Sequence, residues 1–350
     1  MPFTLGDLLL LADRSILNPW LSGPFLVGLK LLEAGIQRSV IPTDATAFLP
    51  SAGLVKGLQW LFGIGLTLRA NRALSRKSLN NGVKADFDWS KEIVLVTGGA
   101  GGIGGETARK LSTKSAAVIV LDVLPLTYDP PKNLHYYRCD LTDYSALQTV
   151  ASSIEKDVGE PTVVVANAGI CRGRSILDST PRDIELTFSV NALGTIWTAK
   201  TFLPAMVRRN HGHFLIIASQ TAHSATAHLV DYSASKSAVL AIYEGLHTEL
   251  KHVHKAPAVR VSCVSPCAVD TKMFTGIKAP SNFLVPKLEP GEVANLVAET
   301  LWSGESRNVM IPAFAYISPP TRALPDWWRV ALADGGAPVM AELRPHRPID

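Results

Sequence analysis

Cysteine is scarce in this chain, and none of its four copies, Cys139, Cys171, Cys263 and Cys267, has the paired C-x-x-C spacing of a zinc site. That scarcity excludes a disulfide-stapled secreted scaffold and points to reduced thiols on the cytosolic side. The nine histidines are scattered. His211 and His213 flank a glycine in a predicted turn, and no metal is assigned to them. Charge is also sparse and unevenly placed. Residues 1–84 carry nine Lys and Arg against four Asp and Glu, whereas the remainder carries 25 against 26. A main region without net positive charge lacks the basic face that nucleic-acid phosphates demand, so no nucleic-acid partner is expected. Absent too are an internal repeat, a low-complexity tract, a signal-type cleavage site and an unbroken long apolar run.

What is present is apolar material, 47% of the 350 residues, enough for one large core and an appendage. The appendage is residues 1–84. Two apolar stretches, Ile16 to Ile36 and Ala47 to Leu68, are each interrupted by Gly or Pro and each carry a lysine, Lys30 and Lys56. The second approaches the ~20 residues of a bilayer crossing, and Arg69, Arg72, Arg76 and Lys77 follow it like a cytoplasmic flank. The expectation is an N-terminal hydrophobic helical anchor, a hairpin or a single helix. It would hold the chain on a cytosol-facing membrane, endoplasmic reticulum or lipid droplet. The alternative is a helical extension packed on the main domain or on a dimer partner.

Residues 85–318 read differently. Short β-branched runs, IVLVT from Ile93, then AAVIVLD, TVVVAN, HFLIIAS and VRVSCVS, alternate with helical stretches, and VMIP from Val309 supplies a sixth. This predicts an α/β domain, a Rossmann-type doubly wound parallel sheet covered on both faces. Residues 319–350 form a Pro-containing tail in which Trp327 and Trp328 precede Arg329. It reads as an amphipathic lid, a membrane-contacting helix, or ordinary packing.

Directly after the first strand comes TGGAGGIGG, Thr97 to Gly105, where strand gives way to helix. Such a turn lets bare backbone approach a pyrophosphate, and the N–H groups of the helix start attract its charge. Asp122 ends the second strand, eighteen residues after Gly104, where a carboxylate can hold both adenosine ribose hydroxyls and repel a 2′-phosphate. NAD is therefore the expected cofactor, with NADP as the alternative. Further on, Tyr232 and Lys236 stand four apart on one predicted helical face, where the cation can draw the phenol pKa down toward neutrality. Tyr128 and Lys132 share that spacing, but Pro130 and Pro131 between them forbid the helix.

TGxxxGxG, Asp122, Asp140, the NAG run at Asn167, Asn191, Ser219 and the YSASK segment occur in this order from about Ile93 to Pro312. In this the chain resembles the short-chain dehydrogenase/reductase family. The likeness is closest to its membrane-associated retinol and 17β-hydroxysteroid dehydrogenases, and it continues through CVSPCAVDTKMF and LEPGEVANLVAETL. The resemblance implies that Tyr232 is the acid/base and that Lys236 lowers its pKa and holds the nicotinamide ribose. It implies that Ser219 binds the substrate oxygen and Asn191 positions a relay water. Gly98, Gly102, Ile103 and Gly104 would form the pyrophosphate turn, Asp140 would approach the adenine and Asn167 its ribose, and Val269 and Thr271 would meet the carboxamide. Pro266-Cys267 departs from the family's Pro-Gly, which puts the local loop in doubt, since φ > 0 is costly for Cys. The expected activity is an NAD(P)-dependent oxidoreductase interconverting an alcohol and its carbonyl on a lipophilic substrate, retinoid, steroid or long-chain lipid, in a homodimer. The alternatives are a soluble reductase of a biosynthetic, polyketide-like pathway and a non-catalytic lipid-surface scaffold.

Overall fold

The computed structural model describes residues 4–38, 40–42, 50–276, 281–283, 285–341 and 343. These fall into two compact units, Met1–Ser78 and Leu79–Asp350. In the first, α1 (Leu5–Arg14) starts at a capping box in which Thr4 and Asp7 satisfy each other's backbone N–H groups. The apolar stretches lie in α2 (Pro19–Gln37) and α3 (Ala52–Leu79). Ala47, Phe48 and Leu49, which open the second stretch, lie outside the described residues. Inside the unit, Arg72 pairs with Asp13 at 2.9 Å, and Gly65 passes so close to the Leu17 carbonyl that a Cβ would sit 2.1 Å from it. Among the described residues no helix is long and apolar enough to cross a membrane. The unit nonetheless exposes large apolar side chains, including Trp20 at 81% and Trp60 at 75%, with Leu9, Leu21, Phe25 and Leu31.

The second unit carries a seven-stranded, fully parallel sheet in the order β3-β2-β1-β4-β5-β6-β7. Its strands are β1 (Ile93–Thr97), β2 (Ala117–Asp122), β3 (Leu134–Arg138), β4 (Val163–Ala166), β5 (His213–Ile217), β6 (Arg260–Pro266) and β7 (Asn308–Ile311). The six expected runs are all strands. β3 is the addition: its sequence, LHYYR, has only half-buried and exposed positions at the sheet edge and carries no β-branched residue. Residue alternation splits the core into two faces. Val94, Val96, Val118 and Val120 pack toward α4 (Gly102–Leu111) and α9 (Pro290–Trp302). Leu95, Ile119, Phe214 and Ile216 pack toward α5 (Tyr144–Asp157), α7 (Gly194–Arg209) and α8 (Val230–His252). The helix α6 (Pro181–Phe188) precedes α7, and α10 (Asp326–Ala341) is the last helix among the described residues. Strand order reverses between β1 and β4, which opens the crevice at their carboxyl ends where such sheets take ligands.

Two expectations are corrected here. His213 is not in a turn: it is the first residue of β5, fully buried, and paired with Ser262 Oγ at 2.8 Å. Cys267 does not need a left-handed backbone, because it is not among the positive-φ residues and its N–H donates to the Ile311 carbonyl at 2.8 Å. The loop that the family builds with glycine is held here by a side chain, the Cys267 thiol donating to Gln220 Oε1 at 2.7 Å.

Candidate active site

The glycine turn after β1 is built for close approach. Gly98 and Gly102 adopt φ of +66° and +54°, and a Cβ on Gly104 would lie 2.2 Å from the Gly98 carbonyl oxygen. Gly101, the cap of α4, brings no side-chain acceptor to the helix start, and Ile103 follows in its first turn, so backbone donors face the crevice. Asp122 braces the turn, its Oδ2 accepting from Ala100 N–H at 2.9 Å and its Oδ1 from Leu124 N–H at 3.0 Å. Asn167, just beyond β4, spends its amide on the same turn by donating to the Thr97 and Gly98 carbonyls at 3.0 Å each. Thr271 closes the far side, its methyl 3.5 Å from where a Gly102 Cβ would stand. Tyr128 also serves the turn, donating its hydroxyl to the Gly99 carbonyl at 2.9 Å.

Four of the remaining predicted residues, Asn191, Ser219, Tyr232 and Lys236, lie one strand away. Asn191 sits in a π-turn (Ser189–Leu193) between α6 and α7, a widened turn of the kind often found at functional sites. Its Oδ1 accepts from Ile170 N–H at 2.8 Å, and its Nδ2 donates to the Ile170 carbonyl at 3.0 Å and to Ser235 Oγ at 2.9 Å. Ser235 in turn donates to the Tyr232 carbonyl at 2.7 Å. Gly169 leaves the gap in which Asn191 Oδ1 and Lys236 Nζ would lie 3.3 and 3.5 Å from an added Cβ. Tyr232 and Lys236 do share one buried face of α8, as their spacing predicts. The ammonium donates to the Ile217 carbonyl at 2.8 Å, and Nζ stands 5.9 Å from the Tyr232 ring centroid. Ser219 follows β5, and its Oγ accepts from Thr221 N–H at 3.2 Å.

Burial sets the electrostatics. It pushes the Tyr232 phenol well above its ordinary range, the Cys171 thiol adding to the rise and a hydrogen bond from Ser219 partly offsetting it. Removal from water is the largest influence on the phenol in this arrangement. The same burial brings Lys236 down to about 8. Cys171 is pushed up to about 12.

Asp140 and Val269 stand apart from this cluster. The Asp140 carboxylate accepts from Thr142 N–H and Oγ1 at 2.9 and 2.8 Å in the turn after β3. The Val269 side chain is in the core, and its carbonyl accepts from Thr271 N–H at 2.8 Å. Sequence reasoning passed over Gln220, which links Cys267 to Ser318, and over Ser235, although the latter lies inside the YSASK segment. Apolar residues, Cys171, Leu229, Met273 and Phe274, surround Tyr232, with the Phe274 ring edge-on at 5.8 Å. A separate cavity of about 580 Å3, lined by His223, Leu240, Glu244, Tyr316 and Arg322, includes none of these catalytic candidates.

A nicotinamide dinucleotide fits this site on the donor chemistry and on the space left by Gly98, Gly102 and Gly104. Comparison with known proteins gives the same direction. The short chain dehydrogenase family profile matches residues 92–282. Dehydrogenase RED2 of Cochliobolus heterostrophus is 34% identical over 240 residues, 67% of this chain and 88% of that protein. Human 17-beta-hydroxysteroid dehydrogenase 13 is 32% identical over 234 residues, covering 65% of this chain and 76% of the relative. Human epidermal retinol dehydrogenase 2 is 30% identical over 234 residues, covering 64% and 75%. Among solved structures, a short chain dehydrogenase from Burkholderia cenocepacia in complex with NADP shares the fold, with a TM-score of 0.60 at 24% identity over 70% of this chain and 98% of that one.

Proposed function

This chain belongs to the short-chain dehydrogenase family and is an NAD(P)-dependent oxidoreductase, and from that premise we propose that it interconverts a lipophilic alcohol and its carbonyl with Tyr232 as the acid/base. The observation that carries this reading is the convergence of Ser219, Tyr232 and Lys236 beside the glycine turn, under an apolar cover. Gly98, Gly102, Ile103 and Gly104 would hold the pyrophosphate, Asp122 and Asn167 would border the adenosine ribose, and Lys236 and Thr271 would lie toward the nicotinamide. Bound there, the nicotinamide supplies the acceptor or donor of a hydride. Tyr232 gives its proton to the substrate oxygen in the reductive sense and recovers it in the oxidative sense. Ser219 bonds the same oxygen. Asn191 acts by fixing Ile170 and Ser235 around the Tyr232 turn.

The apolar cover and the steroid- and retinol-named relatives support a lipophilic substrate. The exposed Trp20, Phe25, Leu31 and Trp60 support an N-terminal unit that lies in a lipid interface, on the cytosolic face of the endoplasmic reticulum or on a lipid droplet. The Asp122 carboxylate favours NAD, because a 2′-phosphate beside it meets a like charge. Side-by-side titrations test this: NAD should bind at least about tenfold more tightly than NADP, roughly 1.4 kcal/mol. Asp122→Ser should erase most of the difference. A wild-type preference for NADP would contradict the assignment.

A further inference from the structure

Gln220 follows Ser219 directly and opens a short 3-10 turn, Gln220–Ala222. Its side chain ties that turn to two other segments. Oε1 accepts from the Cys267 thiol and Nε2 donates to Ser318 Oγ, both at 2.7 Å. Cys267 comes directly after β6 and is the root of the loop that runs to Val269 and Thr271, while the buried Ser318 caps the turn Ala313–Ile317 after β7. We propose that Gln220 is a positioning residue: through Cys267 and Ser318 it fixes the Ser219 hydroxyl, which meets the substrate oxygen, in relation to the loop that meets the nicotinamide. The role rests on the dehydrogenase reading above.

The Ser219 hydroxyl takes its direction from this turn, because its Oγ accepts from Thr221 N–H at 3.2 Å and from Thr221 Oγ1 at 3.0 Å. The turn in turn is held at both ends. At its last residue the Ala222 carbonyl accepts from Ser237 Oγ at 2.9 Å and from Arg322 Nη2 at 2.8 Å. Ser237 neighbours Lys236 on α8, so this end sets Ser219 against the helix of Tyr232 and Lys236. At its first residue the tie is Gln220, and it runs to the cofactor side. Cys267 has its own anchor there: its N–H donates to the Ile311 carbonyl at 2.8 Å, and it packs in a cluster with Met310 and Ala315. Burial pushes its thiol up to about 12, so it remains a donor at neutral pH. A glycine in this place, as in the family's Pro-Gly, has no side chain to make the bond, so the tie is a feature of this chain. Misplacing reacting groups by about 1 Å costs on the order of a hundredfold in rate, which makes one such tie legible in turnover.

The test uses the full-length protein. Turnover is measured with NAD on the fastest alcohol from a panel of sterols, retinoids and long-chain alcohols, and NADH affinity is followed by fluorescence. The infrared S–H stretch of Cys267, assigned by subtracting the Cys267→Ala spectrum, reports the tie without substrate or cofactor. Gln220→Ala should lower kcat about tenfold, leave KM for the alcohol within about twofold, weaken NADH binding about threefold and move the S–H band to higher frequency. Cys267→Ala should lower kcat as far, and the double variant should be no slower than either single, because the two side chains act as a unit. Cys267→Ser keeps a hydrogen-bond donor and should recover most of the loss, which a packing role for the sulfur would not give. Losses that multiply in the double variant, a Cys267→Ser enzyme as slow as Cys267→Ala, or an S–H band unmoved by Gln220→Ala each overturn the tie and leave the dehydrogenase reading standing. If Gln220→Ala does not fold, the two Cys267 variants decide. If the wild type turns over no alcohol or carbonyl while Gln220→Ala still shifts the band and weakens NADH binding, the tie stands and the dehydrogenase chemistry fails; without that weakening the tie falls too.

Discussion

Burial acts on Tyr232 and Lys236 in opposite senses, because it favours the neutral form of each: the phenol holds its proton more firmly and the ammonium, near 8, holds it less. Burial governs a third residue far from the chemistry. His213 is held down to about 3 from 6.5, first by desolvation and then by Arg260 and Arg307. Below 6.5 the unfolded chain takes up a proton that the folded chain refuses until about 3, so stability is full above that window and falls as pH falls through it. The loss should be on the order of 3 kcal/mol by about pH 4. Urea unfolding at pH 7 and pH 4.5 should show it, and His213→Gln, which cannot titrate, should lose less between the two. An identical pH dependence in the variant would place the acid sensitivity elsewhere.

At the scale of elements, the π-turn between α6 and α7 carries Asn191, whose amide satisfies both backbone groups of Ile170. Asn191→Ala leaves both Ile170 groups without this partner and removes one of the two hydrogen bonds of Ser235, and should cost about 2–3 kcal/mol in denaturant unfolding, with turnover reduced alongside. Retained stability would show that the turn is held by its neighbours. Neither the π-turn nor β3 was legible in the sequence. A π-turn adds one residue to a helical period without any compositional mark, and LHYYR at a half-exposed edge has no apolar run to announce a strand. The glycine turn, the β2 carboxylate and the Tyr232 turn were legible, because each needs a residue type at a fixed place: no Cβ at 104, a carboxylate at a strand end, and a four-residue helical step. The Gln220–Cys267 bond was not, since it joins two loops 47 residues apart through side chains with no intrinsic pairing preference.

For the whole molecule, the second unit begins at Leu79, and its first residues are bound into it. Asn80 Oδ1 accepts from Ser306 N–H at 2.8 Å, and the buried Arg260 donates to the carbonyls of Asn80 and Val83. Residues 79–350 should therefore fold and bind NAD(P) without the first unit, and should leave a carbonate-washed membrane pellet that retains the full-length protein. Removing residues 1–84 instead strips Arg260 of two acceptors and should lower the melting temperature by several degrees. A 79–350 protein that fails to bind cofactor would make the first unit part of the fold. The most direct measurement of the central claim is turnover of a panel of sterols, retinoids and long-chain alcohols by the full-length enzyme and by Tyr232→Phe, read as reduced-cofactor absorbance, with cofactor Kd measured in parallel. Wild type should turn over at least one apolar alcohol, and Tyr232→Phe should lose at least about a thousandfold while binding cofactor within a few-fold of wild type. Appreciable turnover by Tyr232→Phe would contradict its role as the acid/base.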